Sequence, residues 1–343
     1  MDKSKKKLFI IDGYAILYRA HFALIRNPLI TSYGFHTSAL FGFSNHLLKI
    51  IKEERPDFLV CAFDSKEKTF RHKMYSDYKA NRPEMPEELQ KQLPHLWELL
   101  DAMNIPVLKK PGFEADDIIG TITESVSKEK IESYIVSGDK DFMQLINDKI
   151  FLYTPGKRNA SPMIYDAKGV LEKWDLPPEK IIDLLSLMGD SSDNVPGVAG
   201  VGVKTAVKLL QEYGGLDRVF ENADKITNKR VHNGLINCKD DAYLSKELVT
   251  IIKDVELEYS LDDFIIKSFD NDDLRKKYEE LEFYALLKQL VDTGDSLQND
   301  KIDKKYITVK SLKSLKELRK DLEKHDILSI DLETTSVDPM TAE

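Results

Sequence analysis

Asp12 follows the apolar run KLFII, Asp64 follows FLVCAF, and Asp139 and Asp141 follow SYIVSG. Two further acidic groups stand beside these: Glu114-Ala115-Asp116-Asp117, which opens the amphipathic stretch EADDIIGTITESV, and Asp190 with Asp193 in GDSSDNVPG. Each alone has a plain structural explanation, because Asp at a strand end caps a helix and acids favour a first helical turn. Brought together at one edge they are harder to explain that way. Carboxylates sharing a cleft repel one another unless cations compensate, and the last two groups have no Lys or Arg adjacent in sequence. A ligand set of oxygens without His or Cys selects hard ions such as Mg²⁺ or Mn²⁺. Two such ions about 4 Å apart are suited to in-line phosphoryl displacement. The seven histidines offer no rival: none lies in an acidic motif, and no Ser/His/Asp spacing stands out. His36 and His46 are expected to be structural, His72 to lie in a basic surface, and Cys61 to be core.

These acids need elements to position them. Lys7–Ile11, Phe58–Phe63 and Ser133–Ser137 read as short buried strands separated by amphipathic segments, the pattern of a parallel α/β sheet. Ile105–Leu108 and Ile150–Tyr153 are weaker strand candidates. Each strand-end acid then falls at the carboxyl edge of the sheet, where open α/β folds bind ligands. From Pro178 the pattern becomes helical, clearest at Ile181–Met188, Lys204–Tyr213 and Leu281–Leu290. The reading is therefore a catalytic α/β domain over residues 1–180, a mostly α domain over 181–295 and a polar linker at 296–305. Residues 306–343 begin a further α/β unit but are too few for a core of their own, so that domain is expected to be cut short.

Two stretches suggest a polyanionic partner. Gly197-Val-Ala-Gly200-Val-Gly202-Val-Lys204-Thr205 is a Gly-rich hairpin entering a helix, so backbone amides can approach a phosphate closely. A nucleotide P-loop is the competing reading, but Val203 stands where that motif needs Lys. The spacing matches instead a helix–hairpin–helix contact to the DNA backbone. Phe63–Leu89 carries Lys66, Lys68, Arg71, Lys73, Lys79 and Arg82 interleaved with Phe70, Tyr75 and Tyr78, as for single-strand binding by stacking plus charge. A net charge of −9 does not oppose this, because binding depends on where charge sits.

Together the motifs resemble the flap endonuclease family with its PIN-like core, in the form found as the 5′ nuclease domain of bacterial DNA polymerase I. The resemblance rests on Asp12-Gly13 with Tyr18-Arg19-Ala20, Gly34 through Gly42, Phe63-Asp64, Thr69-Phe70-Arg71, Tyr78-Lys79-Ala80 with Arg82, Gly112 through Asp117, Ser137 through Asp141, and Gly189-Asp190 through Thr205. It covers nearly the first 290 residues. After Lys305, Asp331-Leu332-Glu333 resembles the first acidic motif of a 3′–5′ exonuclease-like domain, with its other motifs absent.

The resemblance implies that Asp12, Asp64, Glu114 and Asp116 serve a first Mg²⁺, and Asp139, Asp141, Asp190 and Asp193 a second, with Asp117 close by or acting through water. It implies that Lys79 and Arg82 lie on a basic helix above the site and stabilise transition-state charge, and that Arg19 binds a phosphate. Arg71, Tyr78, Lys79 and Arg82 are expected to contact DNA, as are Gly197, Gly200, Gly202, Lys204 and Thr205, with K⁺ held at the hairpin. Residues 70–90 would form an arch for the 5′ single strand. The expected partner is nicked, branched or flapped DNA, RNA-primed ends included, cut by a monomer. A PIN-type ribonuclease shares the acidic core but lacks Gly197–Thr205, and a catalytically silent scaffold would have lost acids that are all present.

Bulk properties agree. A content of 42% hydrophobic and 32% charged residues is that of a globular protein. No apolar run reaches the roughly 20 residues that span a bilayer. Two distant cysteines, Cys61 and Cys238, argue against a disulfide framework and for a reducing cytoplasm, where the DNA-cutting reading implies nucleoid association.

Overall fold

The computed structural model describes residues 5–156, 160–267, 271–297 and 309–324. Six strands form one sheet: β1 Lys7–Asp12, β2 Phe58–Ala62, β3 Val107–Leu108, β4 Glu132–Val136, β5 Ile150–Thr154 and β6 Met163–Tyr165. Their order is β3-β2-β1-β4-β5-β6. All neighbours are parallel except β5 and β6, which are antiparallel. The sequence signals for β1, β2, β4 and β5 thus mark real strands, β3 keeps only two residues, and the three-residue β6 was not anticipated.

Strand alternation builds two cores. Leu8 and Ile10 of β1 and Phe58, Val60 and Ala62 of β2 face one cluster, with Ile118, Ile119 and Ile122 of the Ala115–Val126 helix. Phe9, Ile11, Leu59, Cys61 and Phe63 face the other, against the Gly13–Ala23, Ser38–Glu54 and Leu93–Ala102 helices. Burial on both faces is why these strands read as continuous apolar runs rather than alternating ones. The long Ser38–Glu54 helix stops where Arg55 turns left-handed ahead of Pro56, because a residue preceding proline avoids the helical region.

Chain order sets the site. From β1 the chain moves outward through β2 to β3, then returns to β4 on the other side of β1. The β1–β4 boundary is therefore the point at which strand order reverses, and a crevice opens there beyond the carboxyl ends. The helices from Ile181 to Val249 contribute Leu184, Leu187, Ala206, Leu210 and Leu248 to the same core as one face of the sheet. Residues 1–297 form a single compact unit and 298–343 another. In the second, the described part is the Leu312–Leu322 helix, which Ser311 opens by accepting the Ser314 amide. The expected linker at 296–305 and the Asp331–Glu333 motif lie largely or wholly outside the described residues.

Candidate active site

Asp12 ends β1 and caps the Gly13–Ala23 helix, accepting the Ala15 amide at 3.3 Å on Oδ1 and the Ser137 hydroxyl at 2.7 Å on Oδ2. Ser137 follows β4 and its Oγ also accepts the Asp139 amide at 3.0 Å, so one hydroxyl ties the acids of two neighbouring strands. Asp64, just beyond β2, accepts the Ala115 amide at 2.7 Å. This draws the start of the Ala115–Val126 helix, with Glu114 and Asp116, towards the strand ends. Asp12, Asp64, Asp116 and Asp139 line one cavity of about 370 Å³, together with Tyr14, Tyr18, Lys79, Arg82 and Met85. Asp141 accompanies Asp139, whose Oδ1 accepts the Asp141 amide at 2.9 Å. Asp190 pairs its backbone with Val195 on both sides of a tight loop that carries Asp193.

Burial leaves these carboxylates poorly suited to stand alone as anions. It pushes Asp12 up to about 7 despite the Ser137 bond, with Asp64 and Asp139 adding to the effect. Burial likewise raises Asp64, Asp116, Asp139 and Asp141, and like charge from neighbouring acids adds to it. Buried Asp141 Oδ1 has no hydrogen-bond partner among the described residues. An all-oxygen cluster carrying more negative charge than its surroundings balance, with an orphaned buried oxygen, fits hard divalent cations. Among the described residues no three such side chains are gathered closely enough to hold a metal ion as they stand. The fold therefore brings the acids to one crevice without completing a chelate.

Some acids have found protein cations instead, none of them adjacent in sequence to the acid it meets. Lys79 Nζ sits 2.9 Å from Glu114 and 3.8 Å from Asp193. Arg82 pairs with Asp193, and Lys140 lies 2.7 Å from Asp190. Burial opposes ionisation of Glu114 and Asp190, yet Lys79 with Arg71 holds the first below its usual range and Lys140 does so for the second. These partners are remote in sequence, apart from Arg71 and Lys79 being close to each other, so adjacency could not reveal them.

The basic stretch divides differently from its reading. Arg71 is not at a DNA-facing surface: it is 2% exposed. It donates from Nη1 and Nη2 to Asp117 at 2.7 and 2.9 Å, and to the carbonyls of Leu248 at 2.7 Å and Thr250 at 2.8 Å. Asp117, fully buried, also accepts the Glu114 and Ile252 amides. Both its oxygens are thus taken up by Arg71 and backbone amides, which ties Asp117 into the fold behind the crevice. Tyr78 is 4% exposed and donates to Glu114 at 3.1 Å, which removes it from stacking on bases. Arg19 donates to the carbonyls of Pro155 and Gly156 at 2.8 and 2.6 Å rather than standing free for a phosphate. Lys79 and Arg82 do face the cavity, but from a turn and not a helix, since Lys79 has φ of 57° and its amide donates to Asp193 O.

That turn belongs to the segment read as an arch. It is tied down: Asn81 Nδ2 donates to Ser191 O and Asn194 Nδ2 to Asp77 O, so residues 77–82 lie against the Asp190–Asn194 loop. Within the segment only Phe70–Met74 and Glu87–Gln90 are helical. His72 caps the first of these through Thr69; desolvation disfavours its charged form, and Lys79, Lys68 and Arg71 lie close enough to add to this. His46 is half-buried, its pKa lowered to about 4 by desolvation, and Cys61 is core. Tyr14 and Tyr18, one helical turn apart on the helix that Asp12 caps, were not singled out as site residues although their spacing puts both over the acids.

The Gly197–Thr205 segment is the hairpin expected. Gly197 and Gly200 have φ of 65° and 85°, and Gly202 opens the Val203–Tyr213 helix with Lys204 exposed in its first turn.

Comparison with known proteins agrees with this geometry. Residues 7–175 match the family model for the 5′–3′ exonuclease N-terminal resolvase-like domain, and residues 176–272 that for the 5′–3′ exonuclease C-terminal SAM fold. A 5′–3′ exonuclease of Aquifex aeolicus is 40% identical over 285 residues, which is 83% of this chain and 95% of that one. DNA polymerase I of Bacillus subtilis is also 40% identical, over 297 residues and 86% of this chain, and the chain spans 33% of its length. Among solved structures, T5 5′-exonuclease with bound zinc aligns with TM-score 0.62 at 20% identity, covering 82% of this chain and all of that one. The catalytic core of Rad2 in complex with a DNA substrate aligns with TM-score 0.56 at 17% identity, covering 82% and 89%. No described helix is long and apolar enough to cross a membrane. Matched across both halves of its first unit and over almost the whole length of the Aquifex protein, the chain belongs to the 5′–3′ exonuclease family.

Proposed function

We propose that this chain is the 5′ nuclease part of a DNA polymerase I, hydrolysing phosphodiester bonds near the 5′ ends and flaps of nicked or branched DNA, RNA-primed ends included. The observation that carries the reading is a set of four aspartates, Asp12, Asp64, Asp116 and Asp139, whose pKa values burial drives upward, set opposite Lys79 and Arg82 in one cavity, with Asp141 tied to Asp139 beside it. Asp12, Asp64, Glu114 and Asp116 would hold one Mg²⁺ and Asp139, Asp141, Asp190 and Asp193 a second, Mn²⁺ being able to replace either. When bound, the ions supply Lewis acidity and charge neutralisation to an in-line displacement that leaves a 5′-phosphate and a 3′-hydroxyl.

The remaining steps belong to the chain. Lys79 and Arg82 hold Glu114 and Asp193 when no other cation competes. Once those acids are engaged elsewhere, both cations are free to meet the scissile phosphate and the charge that develops on it. Tyr14 and Tyr18 form the wall beside the acids and limit water. Gly197, Gly200 and Gly202 let backbone amides reach a duplex phosphate, Lys204 and Thr205 add to the contact at the helix start, and K⁺ would sit on the hairpin carbonyls. The chain acts as a monomer in the nucleoid.

The test is cleavage of a 5′-labelled double-flap duplex with Mg²⁺ and with EDTA, by the native chain and by Asp116→Ala. Metal-dependent product near the branch point, absent for Asp116→Ala, supports the reading. A native chain that binds the flap without cutting it in Mg²⁺ or Mn²⁺ removes it.

A further inference from the structure

Behind the hairpin lies an open groove of about 430 Å³ bordered by Gly200, Arg230, Asn233, Asn237 and Cys238. Its floor is set by close packing: Gly234 of the Lys229–Asn237 helix lies so near the hairpin that a Cβ there would come within 2.0 Å of Ala199 O. That contact fixes the face the helix shows. Arg230, Asn233 and Asn237, at i, i+3 and i+7, then form one row beside Gly200. Arg230 is laid across Gly200, where a Cβ would meet its Cγ at 2.8 Å, so the glycine leaves room for the guanidinium. Arg230 is exposed, and among the described residues it has no ion-pair partner and the groove has no acidic lining residue. In a chain with 59 acidic and 50 basic residues, an acid-free groove with an unpaired Arg and two amide side chains is built for an anion with several oxygens.

We propose that this groove is a second contact for duplex DNA, adjoining the hairpin. Arg230 takes a backbone phosphate, and Asn233 and Asn237 donate to neighbouring sugar and phosphate oxygens without reading sequence. The inference rests on the nuclease reading for the identity of the polyanion, and extends the duplex footprint from the hairpin onto a second helix.

Cys238 supplies a direct probe. The chain has two cysteines; Cys61 is fully buried with its thiol pKa raised by burial, whereas Cys238 is partly exposed in the groove wall. Iodoacetamide should therefore alkylate Cys238 in the native chain. Saturating nicked duplex, in EDTA so that nothing is cut, should slow that labelling several-fold, while a single strand of equal length should not. In parallel, Arg230→Ala should weaken duplex binding about 5- to 10-fold and flatten the salt dependence by about one unit of slope. Unchanged labelling under duplex that is bound by fluorescence anisotropy overturns the proposal. So does an Arg230→Ala chain that binds duplex with native affinity and slope, even if Cys238 proves slow to label. Loss of cleavage by the native chain in Mg²⁺ would instead remove the nuclease reading, and the two failures are distinct.

Discussion

Asp12→Asn should make the metal-free protein more stable at pH 8 while abolishing cleavage. Burial raises Asp12 from an ordinary 3.8 to about 7 in the folded state. The fold thus favours its protonated form, and this contribution is fully present below about pH 4 and lost as pH rises through about 7. A difference of about 3 pKa units corresponds to about 4 kcal/mol of stability forfeited once the carboxylate is forced to ionise. Asn removes the charge and keeps the bonds: its Oδ1 can still accept the Ala15 amide and its Nδ2 can donate to Ser137 Oγ. In EDTA the variant should melt several degrees above the parent at pH 8, and the gap should close by pH 4 to 5. Millimolar Mg²⁺ should raise the parent more than the variant, because only the parent offers the full ligand set. Thermal denaturation across pH, with and without Mg²⁺, gives all three comparisons. A variant less stable than the parent at pH 8 in EDTA would refute the reasoning, since Asp12 would then be stabilised as an anion.

Three other substitutions separate support from chemistry. Arg71→Met strands Asp117 as a buried anion and should cost about 3–5 kcal/mol in urea denaturation, with part of that loss recovered in Arg71→Met/Asp117→Leu; equal losses in the two proteins would deny the pairing its weight. Lys79→Ala should lower kcat on a flap substrate by about 10²-fold or more with KM little altered, and a defect confined to KM would make Lys79 a binding residue only. Gly197→Ala must place a Cβ 2.3 Å from Gly189 N at a φ of 65°, which should destabilise by about 1–3 kcal/mol. By shifting the Asp190–Val195 loop it should also raise the Mg²⁺ concentration needed for half-maximal cleavage; an unchanged requirement would show that the loop does not position the acids.

The legible part of the site was the part written in local pattern. An apolar run followed by Asp places a carboxylate at a sheet edge whatever the rest of the chain does, and for β1, β2 and β4 that pattern was enough to gather Asp12, Asp64 and Asp139. The hairpin was legible for a similar reason, because Gly at 197, 200 and 202 is a backbone statement. What could not be read was the direction of long cations. Arg71, Lys79 and Arg82 lie in one basic stretch, yet the first is buried and the other two face the crevice. Arg71 turns inward because Asp117, 46 residues on, and the Leu248 and Thr250 carbonyls, 177 and 179 residues on, close around it. No periodicity in residues 63–89 encodes those partners. β6 was missed because three residues carry too little pattern.

The same non-local pairing alters how the acidic crevice itself works. In the sequence, Glu114–Asp117 and Asp190 with Asp193 have no cation adjacent to pair with them. In the fold the acids split by how they are neutralised. Glu114, Asp190 and Asp193 are matched by Lys79, Lys140 and Arg82, while Asp12, Asp116, Asp139 and Asp141 are kept towards the neutral form by burial and mutual repulsion. A protein that must fold before it meets metal needs both devices, since an uncompensated cluster of this size would oppose its own closure. The lysine and arginine clamps then have a second consequence. Under the proposed function they lie beside the crevice that would take the phosphate, so a cation that takes over Glu114 and Asp193 would also release two positive side chains there. On that reading, occupation of the acids and recruitment of the substrate would be coupled through one set of side chains, Lys79, Arg82, Glu114 and Asp193.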